Sequence, residues 1–336
     1  MTNEINRRVL LRARPNGLPT PDCFELSDVP VERSGEGTFL LRNRFVSVDP
    51  AQKGWISAVQ NYSSPVPIGA VMRAFGVGEV VESRHPDYAA GEWLLGMFGW
   101  QSHAVSDGRE VIRRVDPNVA PPSTALGVLG HTGLSGYFGV VDILRPKAGE
   151  TVVVSTAAGG VGSVAGQVAR LLGAQTVGIT STEEKAKLCR ETFGYDGMIA
   201  YRTAVDMDAA LAQACPNGID GYFDNVGGAT LDAVLRRLNP KARIVICGTA
   251  ATASWDPPPL GPRFERAILV NRARVEGMLI FDYQSRYAEG IEALSQWIRE
   301  GRLNHREEFV DGLDKAPEAL AQLYRSENLG KLVVRT

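Results

Sequence analysis

The stretch Thr151–Gly173, TVVVSTAAGGVGSVAGQVARLLG, restricts the fold more than any other part of the chain. A β-branched run, Thr151–Val154, leads into the small-residue turn Ala157-Ala158-Gly159-Gly160-Val161-Gly162. Val161, Val164, Ala165, Val168, Leu171 and Leu172 then recur three or four apart and share one helix face. Gly173 stands past them as a stop, and a second apolar run, Thr176–Ile179, follows. Strand, glycine turn and helix in this order form the first unit of a dinucleotide-binding fold. Small residues let the backbone approach a pyrophosphate, and the N–H groups and dipole of the helix start attract it. An isolated A-x-G-x-x-G is weak; its position between a strand and a patterned helix gives it weight.

From residue 151 onward the pattern alternates. Strands are expected at 151–155, 176–179, 198–201, 220–224 and 243–247, with helices at about 161–172, 182–192, 205–214 and 229–238. Short connections between such units specify a doubly wound parallel sheet with helices on both faces, an α/β Rossmann arrangement. The first ~125 residues read differently, as a β-rich, mostly antiparallel unit. Arg7–Arg12 and Thr38–Ser47 read as strands, and glycines 76 and 78 bend or bulge a strand over Val71–Val81. Trp93–Trp100 and Gln101–Val105 are further strand pieces, and Ser123–Leu144 reads as a closely packed helix. Ala250–Pro262 reads as a proline-rich loop and Arg274–Phe281 as a strand. An amphipathic helix is expected over Tyr287–Glu300, and a final strand from Gly330 that returns to the first unit.

A net charge of −2 gives no basic excess for nucleic acid or a membrane surface. No apolar run reaches transmembrane length and no leader pattern opens the chain, so a cytoplasmic protein is expected. Cys23, Cys189, Cys215 and Cys247 are widely spaced, with no metal-ligand or disulfide pattern, so no metal site is expected.

The second strand of a dinucleotide fold ends near the adenosine ribose, ~20 residues past the glycines, where an acid selects an unphosphorylated ribose. Here that strand runs into Thr180-Ser181-Thr182, and Lys185 follows one helical turn later. Hydroxyls and a cation suit a 2′-phosphate, so the expected cofactor is NADP(H).

Several segments together carry a family resemblance. They include Ser47-Val48-Asp49-Pro50, Gly78-Glu79-Val80-Val81-Glu82-Ser83, Gly96-Met97-Phe98-Gly99-Trp100 and Gly133-Leu134-Ser135-Gly136-Tyr137-Phe138-Gly139. Ala157 through Gln167, Asp224-Asn225-Val226-Gly227-Gly228, Ile246-Cys247-Gly248 and Asn328-Leu329-Gly330-Lys331 continue it, in one order along the whole chain. The chain resembles the zinc-free medium-chain dehydrogenase/reductases, in the group of prostaglandin reductases, alkenal double-bond reductases and curcumin reductases. The resemblance implies a GroES-like, barrel-like catalytic domain from residues 1–128 plus 304–336, with an NADP-binding Rossmann domain, 129–303, inserted in it. It implies NADPH-dependent reduction of the C=C bond of α,β-unsaturated ketones and aldehydes, and a homodimer.

For the cofactor, the resemblance and the residue pattern together point to Thr132, Ala158, Gly159, Gly160, Val161, Gly162, Thr180, Ser181, Lys185 and Tyr201. Asn225, Cys247, Gly248, Thr249, Phe281, Tyr283 and Asn328 complete that set. Hydride addition to the β-carbon develops charge on the carbonyl oxygen, and a proton must reach the α-carbon. Tyr62 matches a family tyrosine near the substrate and is the expected donor, with His131 a second candidate. Trp55, Tyr62, Val270, Asn271 and Tyr283 are expected to line the substrate pocket. The chain departs from many relatives at Ala51-Gln52-Lys53, where they carry tyrosine, methionine and arginine, and at His131-Thr132, where they carry Met-Pro. It also lacks a tyrosine within Ile268–Asn271. These departures leave two alternatives open: a quinone or carbonyl oxidoreductase on the same fold, and a catalytically idle NADPH-binding protein.

Overall fold

The computed structural model describes residues 4–59, 61–252, 257 and 259–336. In chain order these form β1 (Ile5–Leu11), β2 (Phe24–Pro30), β3 (Phe39–Ser47), α1 (Ala51–Ile56), β4 (Gly76–Ser83), β5 (Trp93–Gly96), β6 (His103–Ser106) and β7 (Val111–Val115). Next come α2 (His131–Phe138), β8 (Thr151–Ser155), α3 (Gly160–Leu171), β9 (Gln175–Thr180), α4 (Glu183–Phe193), β10 (Gly197–Ala200) and α5 (Met207–Ala214). They are followed by β11 (Ile219–Asp224), α6 (Gly228–Leu235), β12 (Leu238–Ile246), α7 (Glu265–Asn271), β13 (Arg274–Gly277) and α8 (Tyr287–Arg299). The chain closes with β14 (Glu307–Asp311), α9 (Ala316–Tyr324) and β15 (Lys331–Arg335). Two compact units result: residues 1–126 with 307–328 and 332–336, and residues 127–306 with 329–331.

The second unit is built on a parallel sheet in the order β10-β9-β8-β11-β12-β13. Numbered within the sheet this is 3-2-1-4-5-6, with strand order reversing at β8, where such folds bind ligands beyond the carboxyl ends. Every residue of β8 is buried, as an apolar strand covered on both faces requires. Val164, Ala165, Val168 and Ala169 turn one face of α3 to the interior. Leu172, expected on that face, is exposed, because the helix ends at Leu171 and Gly173 turns the chain with φ 90°.

The first unit holds a mostly antiparallel sheet, β14-β15-β3-β4-β5-β7, with β6 also on β3, and a separate β1-β2 ribbon. The C-terminal strand does return to this unit, where Val333 pairs with Ser47. The β3–β4 register slips at Leu40/Leu41 and Asn43/Phe45, the irregularity that the glycines of β4 announced. The core gathers Phe24, Trp55, Phe75, Trp100, Leu320 and Val333, and the Trp100 indole donates to Ser47 O at 2.9 Å.

Several boundaries differ from expectation. The expected helix over Ser123–Leu144 is divided at Gly127–Gly130. Gly130 is extended, α2 begins after it, and a wider helical turn runs over Gly139–Leu144. The strand expected over Arg274–Phe281 stops at Gly277 and becomes a tight turn over Ile280–Arg286. Helix α6 ends at Leu235, and β12 begins at Leu238, five residues before the expected start. Within the expected Ala250–Pro262 loop, residues 253–256 and 258 lie outside the described residues.

Candidate cofactor and active site

The buried strand β8 delivers Thr156 to the glycine turn in a left-handed conformation, φ 53°. A β-branched residue rarely adopts it, and such strain costs about 1–3 kcal/mol. Thr156 O accepts the Gly159 N–H at 2.9 Å, and a Cβ on Gly162 would come within 2.3 Å of that same oxygen. Only glycine fits there. The cap residue Gly159 has no side chain to satisfy the first N–H groups of α3, which therefore point outward under the positive end of the helix dipole. Helix α2 starts beside α3. A Cβ on Gly160 would meet Thr132 Cγ2 at 2.6 Å, and one on Gly136 would meet Val161 O and Ala165 N at 3.0 Å. The two helices thus run in the same direction with their N-termini adjacent. Leu329–Lys331 join this unit from far along the chain. The Gly330 N–H donates to Ala158 O at 2.9 Å, and Lys331 Cβ and Cδ lie 3.5 and 3.6 Å from where a Gly160 Cβ would stand.

The end of β9 forms a second cluster. Ser181 is 2% exposed, and its Oγ has no hydrogen-bond partner among the described residues. Thr182 caps α4, its hydroxyl accepting the Lys185 N–H at 3.3 Å, which roots the buried Lys185 in the first turn. The chain leaving β10 stays hydrogen-bonded alongside: Tyr201 N–H donates to Thr180 O at 2.9 Å and Arg202 N–H to Ser181 O at 3.2 Å. Thr180, Ser181, Lys185 and Tyr201 are therefore brought together. A buried hydroxyl lacking a partner, beside a lysine and a phenol and with no acid at 180–182, fits a phosphate ester. The backbone of Arg202, a residue the sequence reading missed, also reaches this cluster; its only signal was its place one residue past Tyr201.

A third cluster lies at the ends of β8 and β11. Asp224 is wholly buried, and its Oδ1 accepts from Tyr222 Oη at 2.9 Å, Ser155 Oγ at 3.3 Å, and the Val226 and Gly227 N–H groups, both at 2.9 Å. Burial raises its pKa above the ordinary carboxylate value, against the opposing pull of those hydrogen bonds. Asn225 donates its backbone N–H to Ser155 Oγ and its amide to Ser155 O, both at 2.8 Å. Cys247 and Gly248 donate their N–H groups to Asp224 O at 2.8 and 3.1 Å, which brings them to Asn225. Burial pushes the Cys247 thiol up to about 12, so it is a poor nucleophile. Thr249 is exposed just beyond. Sequence patterns did not reveal the Asp224–Tyr222–Ser155 network, because it depends on two strands meeting.

The remaining expected site residues are divided between the two units. The His131 ring stands at the start of α2, 5.4 Å from the exposed Phe281 ring and edge-on to Tyr287 at 5.3 Å. Tyr283 stacks on the buried Phe138 at 4.7 Å. On α7, Val270 is exposed and the Asn271 amide donates to Ala267 O one turn back. In the first unit, Trp55 belongs to the core, edge-on to Phe75 at 6.0 Å. Tyr62 is 53% exposed and close enough to Tyr324 to raise that phenol's pKa, although burial is the larger cause. Tyr324 in turn donates to Pro50 O at 2.7 Å, and the Lys53 ammonium lies 5.8 Å from its ring centre. Asn328 immediately precedes Leu329–Lys331. Among the described residues, no group of three or more His, Cys, Asp or Glu side chains is arranged to hold a metal ion.

The family model for the N-terminal domain of oxidoreductases matches residues 7–113, and that for zinc-binding dehydrogenases matches residues 160–296. The NADPH-dependent curcumin reductase of Escherichia coli K12 is 42% identical, over 98% of this chain and 96% of its own. The NADP(+)-dependent 2-alkenal reductase of Nicotiana tabacum is 32% identical over 99% and 98%. The crystal structure of CurA from Vibrio vulnificus in complex with NADPH superposes with a TM-score of 0.93 at 39% identity, covering 98% of this chain and 99% of that one. A Pseudomonas syringae quinone oxidoreductase, at 19% identity and a TM-score of 0.78, shares the fold. With whole-length identity to such reductases, a Rossmann sheet in one unit and a mostly antiparallel sheet in the other, the chain belongs to the medium-chain dehydrogenase/reductases, in their zinc-independent double-bond reductase group.

Proposed function

We propose that this protein is an NADPH-dependent reductase of the C=C bond of α,β-unsaturated ketones and aldehydes. The observation that carries this reading is the end-to-end match to curcumin and alkenal reductases. The unpartnered Ser181 hydroxyl and buried Lys185 at the end of β9 support the phosphorylated cofactor. In this reading Lys185, Tyr201 and Ser181 hold the 2′-phosphate, and the N–H groups of Gly160–Gly162 hold the pyrophosphate. Asn225, Gly248 and Thr132 face the nicotinamide end. Bound NADPH supplies the hydride for the β-carbon. Tyr62 donates to the carbonyl oxygen as charge develops there, worth about 2.7–4 kcal/mol for a well-placed donor. Its exposed phenol, able to reach a ligand, supports that role.

The finer parts of the reading are a cytoplasmic setting and a homodimer. Four free cysteines suit a reducing compartment. All residues of β13 are exposed at the sheet edge, and Leu269, Val270 and Phe264 are exposed on or beside α7. An open edge with apolar neighbours suits a second copy of the chain.

The test is NADPH oxidation with a panel of enones, enals, quinones and simple ketones, for wild type and Tyr62→Phe. Turnover of enones and enals with NADPH over NADH is expected, with Tyr62→Phe lowering kcat on enones by about 10²-fold. Turnover of quinones alone, or of no member, would overturn the reading; an unchanged Tyr62→Phe would remove that residue's role.

A further inference from the structure

We propose that Arg286 and Asp142 are positioning residues for the hydride-donating half of the cofactor, because they tie the turn Ile280–Arg286 to α2 and to the wide helical turn that follows it. This role rests on the NADPH reading above and goes beyond it, since neither residue belongs to the clusters assigned to the dinucleotide. The sheet order indicates which half of the cofactor the turn serves. The cluster suited to a 2′-phosphate stands at the end of β9, on one side of the reversal at β8. The other mononucleotide half then falls beyond the carboxyl ends of β11, β12 and β13. The turn leaves from that place: Met278 N–H donates to Ile246 O at 2.9 Å, at the end of β12, and the turn opens two residues later.

Burial does not fix this turn. None of its residues is buried, and it follows an edge strand. Side chains fix it instead. The Tyr283 ring stacks on Phe138 at 4.7 Å, and the Arg286 guanidinium lies 4.9 Å from the centre of the same ring. That guanidinium donates to both carboxylate oxygens of Asp142, 144 residues away along the chain, and to both of Glu289 at 2.8 Å. Glu289 also accepts from Tyr137 Oη at 3.4 Å, and Tyr287 Oη donates to Ile280 O at 3.1 Å. Asp142 stands on the widened segment Gly139–Leu144, where Arg145 N–H reaches back five residues to Val140 O at 2.8 Å. Wide turns of this kind recur at functional sites. The platform under the turn has no slack. A Cβ on Gly139 would stand 2.5 Å from the Phe223 ring and 3.1 Å from Met278 Sδ, and one on Gly290 would stand 2.5 Å from Leu134 Cδ2. Phe281 and Tyr283 are thus held in place before a nucleotide arrives, which is what an oriented hydride transfer requires.

The experiment compares Arg286→Met, Arg286→Lys and Asp142→Asn with wild type. It reads the single-turnover rate of hydride transfer from bound NADPH to an enone, the fluorescence of the bound nicotinamide, and the affinity for 2′,5′-ADP, which carries the 2′-phosphate but no nicotinamide. For Arg286→Met the expected result is hydride transfer about 10- to 100-fold slower, with the nicotinamide fluorescence moved toward that of free NADPH. The Kd for 2′,5′-ADP stays at the wild-type value. Asp142→Asn moves the rate and the fluorescence in the same direction by less, and Arg286→Lys, which keeps the charge, recovers part of the rate. Wild-type rate and fluorescence in Arg286→Met and Asp142→Asn overturn the proposal. Equal weakening of 2′,5′-ADP and NADPH also overturns it, because that describes a unit loosened as a whole. If Arg286→Met does not fold, Asp142→Asn decides by the same readouts. A wild type that binds NADPH yet reduces no enone defeats the proposed activity, and the fluorescence and 2′,5′-ADP titrations then still decide the positioning role.

Discussion

At the scale of single residues, the informative groups are those that burial has set against their own chemistry. Asp224 is wholly buried, with Oδ1 engaged by four donors and Oδ2 unpartnered among the described residues. Its pKa is raised in the fold, with burial the first cause, so the folded protein holds this proton to higher pH than the unfolded chain does. The sign follows. Above the folded pKa the carboxylate burdens the fold, and lowering the pH through it relieves that burden. Asp224→Asn keeps the acceptor and never ionises, so its stability relative to wild type should rise as pH goes from 4 to 8, by about 1 kcal/mol. Urea melts of both proteins at pH 4, 6 and 8 test this; a difference constant with pH would show that Asp224 does not titrate in that way. Nothing in the sequence announced this network. Asp224 and Tyr222 alternate along β11 and Ser155 closes β8, so only strand pairing brings the three together. Thr180, Ser181 and Lys185 were legible as a group because the strand end and the next helix's first turn are contiguous in sequence.

At the scale of elements, legibility follows periodicity and context. The βα units from Thr151 onward announced themselves because short apolar runs such as Val152–Val154, Val177–Ile179 and Ile244–Ile246 recur between turn residues and patterned helices. β2 escaped notice because it reads Phe24-Glu25-Leu26-Ser27-Asp28-Val29-Pro30 and sits in a two-stranded ribbon, where little of it is buried. α1 and α7 are only six and seven residues long, too short for a period to show. The α3 turn gives the sharpest test. A Cβ at Gly162 would stand 2.3 Å from Thr156 O, a backbone atom that cannot rotate away. Gly162→Ala should therefore cost about 1–3 kcal/mol and open the cradle by moving the first N–H groups of α3. Thermal melts and NADPH titration read both effects together. Full stability with wild-type NADPH affinity would mean that the turn has room that its geometry denies.

At the scale of the whole molecule, the open question is what covers the end of the parallel sheet. β13 is bonded to β12 on one side and is exposed along its length, with Val275 at 46%. Natural sheets blunt such edges with prolines, charges or a covering element; Arg274 and Glu276 supply charges here, yet Leu269, at 76% exposed, and Phe264 place apolar surface beside them. A monomer gains nothing from that combination. A second copy related by a two-fold axis would bring β13 against its own equivalent running antiparallel, satisfying both edges at once and covering α7 with α7. Charge alternating with apolar residues then sets the register, since Arg274 and Glu276 of one copy can meet their opposites in the other. Val275→Lys places a like charge on both copies at the centre of such a pair, where self-repulsion is unavoidable. The wild-type protein should therefore elute as a dimer under multi-angle light scattering, and Val275→Lys as a monomer that keeps its secondary structure and its NADPH affinity. A wild-type monomer, or a variant that stays dimeric, would move the interface away from β13. Loss of NADPH affinity together with the dimer would show that the nucleotide site depends on assembly, which the placement of its clusters within one unit argues against.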